Sequence, residues 1–138
     1  ADSVHAYTRR IMHAFEPDYI QIGNEINGGM LWPVGSWAES TAFHRLLRAG
    51  VSAVRLENPA TKIILHHAGF VGAADFYQRL SALDYDVVGL SYYPMWHGKS
   101  LDSLGLAIHG LRQQTGKSVL LVETSSPFSL GWNDNTHN

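Results

Sequence analysis

The feature that most constrains the fold is a regular alternation of four amphipathic helical segments with four short apolar strands. The predicted strands are rich in β-branched and aliphatic residues and are separated from one another by helices. Strands of this kind are usually buried on both faces and pair in parallel through right-handed crossovers. The strands are predicted at residues 19–23, 62–66, 86–91 and 118–122. The sequence therefore predicts an α/β domain built on a parallel sheet.

Helix boundaries are marked by stop and cap signals. Pro17 ends the first helical pattern, and the tetrapeptide 36–39 has the form of a capping box ahead of the second helix. A shorter third helix is predicted over residues 73–83. Ser100 is expected to cap the fourth helix and Gly116 to end it.

Composition excludes several classes of function. The 138 residues are 45% hydrophobic and 16% charged, which permits a substantial buried core. A formal net charge of −2 gives no electrostatic basis for binding nucleic acid or an anionic membrane. The chain has no cysteine, so it has neither a disulfide framework nor thiolate chemistry. No Gly-rich phosphate loop or nucleophile-elbow serine occurs, which weakens a dehydrogenase or serine hydrolase interpretation.

Two glutamates follow predicted strands at the edge where parallel strands deliver side chains to a pocket. Glu25 comes just after the first strand and Glu123 just after the fourth. Retaining glycosidases use two carboxyl groups about 5–5.5 Å apart, one as acid/base and the other as nucleophile. We predict Glu25 as the general acid/base and Glu123 as the nucleophile. The simpler alternative is that each glutamate merely starts a loop.

Several polar and aromatic residues near the strand ends are candidates for binding a sugar. The Asn24 amide could bind a hydroxyl or cap the strand, and either Tyr92 or Tyr93 could orient the nucleophile while the other packs. His66 and His67 could contact substrate, hold a carboxylate or be satisfied loop residues. The full set predicted to bind substrate is Asn24, Trp32, His66, Tyr92, Tyr93, Trp96, His97 and Trp132.

The tryptophans and the histidines each have an alternative interpretation. Trp32, Trp96 and Trp132 fall in post-strand loops, which favours platforms for sugar rings, whereas Trp37 beside a helix cap is expected to pack. His66, His67 and His97 could be read as metal ligands, but their spacing is not that of a recognisable zinc site.

Four strands cannot close a (β/α)8 barrel, which typically takes about 250 residues. The chain is expected to be either an open four-stranded domain or the middle of a barrel. Because it opens on a helix and stops inside a loop, we favour the barrel fragment. In that case other segments or another chain would cover the two sheet edges.

Three motifs then resemble glycoside hydrolase family 53, the endo-β-1,4-galactanases. The first is Gly-Asn-Glu-Ile at 23–26 followed by Gly-Gly-Met-Leu-Trp-Pro at 28–33. The second is Gly-Leu-Ser-Tyr-Tyr-Pro at 89–94 with Trp-His-Gly at 96–98, and the third is Val-Glu-Thr at 122–124. The Asn-Glu pair and the second Glu are shared across a wider clan of retaining barrels, whereas the longer segments are more specific to this family.

The resemblance implies a (β/α)8 TIM barrel in which residues 1–138 run from the third helix through the loop after strand seven. Glu25 would be the acid/base, Glu123 the nucleophile, and Asn24 would lie near the sugar 2-hydroxyl. The substrate would be β-1,4-galactan of pectic type I arabinogalactan, cut internally with retention. The alternatives are a non-catalytic carbohydrate-binding barrel and a related mannanase or cellulase.

The resemblance also bears on cofactors and location. It implies no required cofactor, although bacterial members can hold a structural calcium in the loop after strand seven, where Asp134 and Asn138 lie. Thr136 departs from the usual pattern there. A secreted, periplasmic or cell-surface bacterial protein is implied. The 138-residue piece alone is expected to be inactive, because only half of the pocket wall is present.

Overall fold

The computed structural model describes residues 1–125, whose strands form one parallel sheet in sequence order. Neighbouring strands in the chain are therefore neighbours in the sheet, as successive strand–helix units require. The strands are β1 (Tyr19–Gln21), β2 (Lys62–His67), β3 (Val87–Tyr92) and β4 (Ser118–Thr124). β1 and β4 form the two edges of this sheet.

Helices connect the strands and supply one side of the core. They are α1 (Asp2–Phe15), α2 (Ser40–Glu57), α3 (Ala73–Arg79), α4 (Pro94–His97) and α5 (Leu101–Thr115). Alternate strand residues such as Leu65 and Leu90 are fully buried and pack with Phe43 and Leu47 of α2 and Tyr77 of α3. The residues between them in each strand face the opposite side of the sheet. Within residues 1–125, no helix combines the length and the apolar character needed to cross a membrane.

Strand boundaries differ from the predictions by one or two residues. β1 ends at Gln21 rather than at residue 23, because Gly23 has a φ of 79° and turns the chain out of the sheet. β2 extends to His67, and β4 extends to Thr124, so Glu123 lies inside a strand instead of following one. The sequence therefore located each strand but not the residue at which it ends.

The second helix begins later than its capping-box signature predicts. The Glu39 N–H does donate to the Ser36 hydroxyl, at 3.2 Å. However, α2 begins at Ser40, and the Glu39 carbonyl accepts the first helical hydrogen bond, from the Phe43 N–H at 3.0 Å. The 36–39 segment is thus a separate turn before the helix.

The later helices show one confirmation and two differences. Ser100 caps α5 as predicted, accepting from the Ser103 N–H at 3.1 Å, and Gly116 ends it in a left-handed conformation. α3 stops at Arg79 rather than at residue 83, although Leu80 and Leu83 remain buried. The four-residue helix α4 was not predicted.

An ion-pair network fastens the amino-terminal ends of β2 and β3 to helix α2. Arg55 donates to the carboxylates of Asp84 and Asp86, each at 2.7 Å, and to the Thr61 carbonyl at 2.8 Å. Asp86 also accepts the Ile63 N–H at 2.9 Å. The hydrogen bond from Arg55 lowers the pKa of Asp84. Burial alone would raise the pKa of Asp86, but hydrogen bonds from the Ile63 N–H and Arg55 outweigh burial and lower it.

Candidate active site

The carboxyl groups of Glu25 and Glu123 meet at the carboxyl-terminal end of the sheet. One carboxylate oxygen of each residue lies within 4.8 Å of the other, although the two glutamates come from opposite edges of the sheet. Both side chains are partly buried. This placement requires the sheet to curve, because strands in a flat sheet are spaced about 4.8 Å apart and β1 and β4 are separated by two others.

The segment after β1 places Glu25 through two left-handed residues. Gly23 has a φ of 79°, and a Cβ added there would lie 2.5 Å from the Ile26 side chain, so only glycine fits. Glu25 itself has φ 46° and ψ 53°, a conformation that costs a non-glycine residue about 1–2 kcal/mol. Its N–H donates to His66 Nδ1 at 3.3 Å, which helps to hold this geometry.

A β-bulge and a tyrosine position Glu123. The register between β3 and β4 shifts after Leu90, so that Glu123 rather than Val122 stands opposite Ser91. The Tyr93 hydroxyl then donates to Glu123 Oε1 at 2.6 Å. This hydrogen bond raises the pKa of Tyr93 to about 12, because losing the phenolic proton would place two negative charges together.

A buried serine and a buried histidine form a chain of hydrogen bonds to the Glu25 carboxylate. The Ser91 hydroxyl donates to Glu25 Oε1 at 2.5 Å, and His66 Nε2 lies 2.8 Å from the same hydroxyl. Ser91 and His66 are both fully buried. Burial lowers the pKa of His66 although the nearby charges of Glu123 and Glu25 act in the opposite direction. His66 is therefore neutral near pH 7.

Asn24 lies at the rim of the site next to Gln21. Gln21 Nε2 donates to Asn24 Oδ1 at 3.2 Å and lies 3.1 Å from His66 Nδ1. Asn24 Oδ1 is itself 3.2 Å from that ring nitrogen. The Asn24 side chain is exposed, so its amide group remains accessible beside Glu25.

The structure separates the two tyrosines that the sequence left undecided. Tyr93 is the one that bonds the predicted nucleophile. Tyr92 is only 5% exposed, donates to the Gly98 carbonyl at 2.8 Å and packs near Phe70. Tyr92 is thus the tyrosine that packs, with its hydroxyl bonded within the protein, and its contact with substrate stays a prediction.

The histidines also divide into different environments. His66 is buried, and its Nε2 contacts the Ser91 hydroxyl that bonds Glu25, which agrees with the predicted alternative of holding a carboxylate; its contact with substrate stays a prediction. His67 points away from the carboxylates and packs on Phe76, with Nδ1 3.1 Å from the Gly69 carbonyl. His97 Nδ1 accepts the Tyr93 N–H at 3.0 Å. Its ring packs so closely on Gly69 that a Cβ there would lie 2.8 Å away.

Two of the tryptophans predicted as platforms for sugar rings are exposed, and the tryptophan predicted to pack is in contact with other aromatic rings. Trp32 is 73% exposed and Trp96 is 60% exposed, and the Trp96 ring lies 5.2 Å from the Tyr93 ring. Trp37 packs against Phe43 and Phe76, as expected of a structural tryptophan. The predicted residues Trp132, Asp134 and Asn138 lie outside the described residues.

A metal ion does not suit the group at the centre of the site. Within residues 1–125, Glu25, His66 and Glu123 form the one cluster of three potential ligands, with atoms within 4.8 Å of one another. Both nitrogens of His66 already have partners: Ser91 at Nε2 and the Glu25 N–H at Nδ1. The ring therefore has no free lone pair, and the cluster is better explained as two carboxylates, each held by a separate hydroxyl, from Ser91 and from Tyr93.

Sequence reasoning missed Ser91 and Gln21 as members of the site. Both are polar residues at strand ends otherwise rich in apolar residues. Their position on the same strand face as Tyr93 and Gly23, two residues further on, was the available signal. A polar side chain at that point of a parallel strand faces the pocket rather than the helices.

Comparison with known proteins places this arrangement in a family. The family model described as glycosyl hydrolase family 53 matches residues 1–138. An arabinogalactan endo-β-1,4-galactanase of Cellvibrio japonicus is 36% identical over 130 residues, covering 83% of this chain and 33% of the relative. A probable arabinogalactan endo-β-1,4-galactanase A of Aspergillus terreus is 33% identical over 144 residues, covering 91% of this chain and 41% of the relative.

A solved structure agrees with the fold. The GH53 catalytic domain of Ignisphaera aggregans matches with a TM-score of 0.90 at 38% identity, covering 97% of this chain and 39% of that one. The predicted fold class is thereby confirmed, because the four strands and their helices match part of a (β/α)8 barrel domain. The chain spans between 33% and 41% of the length of the two curated relatives described above.

Proposed function

Because this chain belongs to glycosyl hydrolase family 53, we propose that it forms the catalytic part of a retaining endo-β-1,4-galactanase. The observation that carries the proposal is the approach of Glu25 and Glu123, with one oxygen of each within 4.8 Å of the other. Retaining enzymes need carboxyl groups about 5–5.5 Å apart, whereas inverting enzymes leave a wider gap of about 6.5–9.5 Å for a water molecule.

In the first step, a Glu123 oxygen attacks the anomeric carbon and forms a covalent glycosyl ester. The glycosidic C–O bond breaks at the same time, and Glu25 gives its proton to the departing sugar oxygen. The Tyr93 hydroxyl orients Glu123 from its 2.6 Å hydrogen bond to Oε1. This bond leaves the other carboxylate oxygen available for attack.

In the second step, Glu25 accepts a proton from a water molecule that attacks the same anomeric carbon. The ester bond to Glu123 breaks, and its carboxylate is released. Two inversions at one carbon give net retention of the β configuration. Glu25 thus alternates between acid and base, which requires it to face the glycosidic oxygen throughout.

We expect exposed side chains in the segments that follow the strands to bind the substrate. Trp32 and Trp96 present rings that can stack on the apolar faces of galactose units. The accessible Asn24 amide is placed next to Glu25 to bind the sugar 2-hydroxyl. The Cellvibrio japonicus and Aspergillus relatives are named galactanases, which supports β-1,4-galactan as the polymer. Because galactan is a cell-wall polymer, we place the protein outside the cytoplasm.

Further chain segments are needed to complete the enzyme. Leu120 and Leu121 of the edge strand β4 are each 42% exposed, and Tyr19 of the opposite edge strand is 57% exposed. Apolar sheet edges of this kind are normally covered. We propose that the remaining barrel strands of a longer protein cover them, and that residues 1–138 alone do not hydrolyse galactan.

The function is tested by galactan hydrolysis in the full-length protein that contains this chain. Wild type should release short galacto-oligosaccharides, and both Glu25→Gln and Glu123→Gln should slow their release by about 100-fold or more. Glu16→Gln is a matched control, because Glu16 is also a left-handed glutamate, with φ 44°, but it lies at the end of α1 and is exposed. Wild-type turnover in either site variant would remove the role of that residue.

The same assay distinguishes the alternative functions. Binding of galactan without new reducing ends would favour a carbohydrate-binding barrel that uses Trp32, Trp96 and Trp132. Faster hydrolysis of mannan or cellulose than of galactan would keep the mechanism but change the substrate.

A further inference from the structure

Glu25 is held at both its backbone and its carboxyl group by one imidazole ring. Its N–H donates to His66 Nδ1 at 3.3 Å. On the other side of the ring, His66 Nε2 lies 2.8 Å from the Ser91 hydroxyl, which donates to Glu25 Oε1 at 2.5 Å. These contacts close a hydrogen-bonded circuit that begins and ends at the same glutamate.

The direction of each hydrogen bond in this circuit follows from its donors. A backbone N–H can only donate, so His66 Nδ1 must accept from Glu25. Gln21 Nε2 is a second donor facing Nδ1, at 3.1 Å. Asn24 Oδ1 also lies 3.2 Å from Nδ1, but it accepts from the same Gln21 amide, and two donors face the ring nitrogen against this one acceptor. The proton of the neutral ring is therefore assigned to Nε2, which donates to the Ser91 hydroxyl. Because Ser91 accepts this hydrogen bond, its own hydroxyl hydrogen is donated to Glu25 Oε1.

We propose that His66 and Ser91 are positioning residues that keep the transferable proton of Glu25 on the oxygen that faces the substrate. This inference rests on the proposed function, in which Glu25 is the acid/base. The Ser91 hydroxyl donates to Oε1 whether Glu25 is ionised or protonated, so Oε1 stays an acceptor. The proton that reaches the sugar oxygen must then be carried by Oε2.

Burial protects the hydrogen bonds of this circuit from competition with water. The side chains of His66 and Ser91 are both 0% exposed, so no water competes for their hydrogen bonds. The lowered pKa of His66 agrees with a neutral ring. The same ring fixes the left-handed backbone of Glu25, and therefore the direction in which its carboxyl group leaves the chain.

The test compares two substrates whose leaving groups differ in their need for a proton. This comparison distinguishes a loss of proton donation from a general loss of active-site structure. Ser91→Ala in the full-length protein removes the donor to Oε1 with little change in volume. We expect kcat/KM for galactan to fall by about 10- to 100-fold, which is the range for losing a hydrogen bond to a charged group. For 2,4-dinitrophenyl β-galactobioside, whose leaving group needs no protonation, kcat/KM should stay within about threefold of wild type.

A buried hydroxyl elsewhere on the sheet provides the control. Thr61 is 1% exposed and its hydroxyl donates to the Pro17 carbonyl at 2.8 Å, at the other end of β2. Thr61→Val removes this hydroxyl and should lower the thermal midpoint while leaving both kcat/KM values at the wild-type level. Equal losses on the two substrates in Ser91→Ala, or no loss on galactan, would overturn the proposal.

A spectroscopic measurement tests the circuit without relying on activity. The ¹⁵N chemical shifts of the His66 ring in the full-length protein should show a protonated Nε2 and an unprotonated Nδ1 at pH 7. A proton on Nδ1 would contradict the circuit even if the enzyme is active. An inactive wild type that nevertheless shows the expected tautomer would refute the proposed function and leave the hydrogen-bonding arrangement standing.

Discussion

The two ends of the parallel sheet both carry carboxylates, but they surround them with different partners. At the amino-terminal end, Asp84 and Asp86 are paired with Arg55, which bonds both. At the carboxyl-terminal end, Glu25 and Glu123 receive hydrogen bonds from the neutral hydroxyls of Ser91 and Tyr93. Within residues 1–125, neither glutamate forms an ion pair, because no Lys or Arg nitrogen lies within 4.0 Å of either carboxylate.

With the proposed function, this difference would assign stability to one end of the sheet and chemistry to the other. Arg55 fixes the charge on its two aspartates and ties α2 to β2 and β3 through Asp86 and the Thr61 carbonyl. A cation in the same position beside Glu25 would hold its charge permanently and prevent it from giving or taking a proton. Neutral hydroxyls orient the glutamates without removing that ability.

The largest effect should come from replacing one carboxylate by an amide at each end of the sheet. Glu25→Gln should lower kcat/KM for galactan by about 10²–10⁴-fold, the usual contribution of general acid–base catalysis, with an unchanged urea midpoint. Asp86→Asn should do the opposite, lowering the midpoint while kcat/KM stays at the wild-type level. Both properties are measured on the same full-length preparations. Parallel losses of activity and stability in the two variants would show that the ends are not separate.

The second effect concerns the stability of the amino-terminal end. Arg55→Met should reduce the free energy of unfolding by about 2–3 kcal/mol, because it removes the guanidinium that hydrogen-bonds the partly buried Asp86 and leaves only Lys62, at 3.7 Å, paired with it. Urea denaturation measures the change. Arg48→Met is the matched control, since Arg48 is an exposed arginine on the same helix. An equal loss in both variants would mean that helix propensity, rather than the ion pairs, explains the result.

A smaller effect is expected from the partner of Glu123. Tyr93→Phe removes the donor to Glu123 Oε1 and should lower kcat/KM on the order of 10-fold while the fold is kept. Burial also raises the pKa of Tyr85 to about 12, so ultraviolet titration should find two such tyrosines, of which only the Tyr93 component disappears in this variant. Tyr92→Phe should leave that titration unchanged, because the Tyr92 hydroxyl bonds Gly98 instead. Loss of the same signal in Tyr92→Phe would reverse the assignment.

The smallest effects should appear in the pH dependence of stability. The titratable groups at each end of the sheet should change the stability in a different pH range. His66 and His67 have pKa values below their ordinary value of 6.5, so the unfolded state binds more protons and stability falls as the pH drops below 6.5. Asp84 and Asp86 have pKa values below 3.8, so their contribution is complete above 3.8 and is lost as the pH falls further. Arg55→Met should weaken the loss of stability below pH 3.8 and leave the loss between pH 6.5 and 3.8 unchanged. A weaker loss in the upper pH range would contradict this division between the two ends.

The strands and the pair of glutamates were readable from the sequence because each leaves a local pattern. An apolar run followed by a carboxylate predicts a strand end at a pocket, and this pattern located Glu25 and Glu123 before any contact was known. The family resemblance supplied what the pattern could not, namely the position of these strands within a larger barrel.

Details that depend on pairing between distant strands were not readable. Glu123 stands opposite Ser91 only because the register shifts after Leu90, and no local signal announces that shift. The start of α2 was mispredicted for a different, local reason. The Ser36 hydroxyl makes the bond of a capping box, but it does so in a turn that ends before the helix begins.

The measurement that tests the central claim most directly is the configuration of the first sugar released from galactan. Proton NMR of the full-length protein acting on galactan should show the β-anomer forming first, with the α-anomer appearing only through slow mutarotation. That result follows if Glu25 and Glu123 face each other across one glycosidic bond within 4.8 Å. Initial release of the α-anomer would contradict the account, because it would require a water molecule between two carboxyl groups that the structure places too close together.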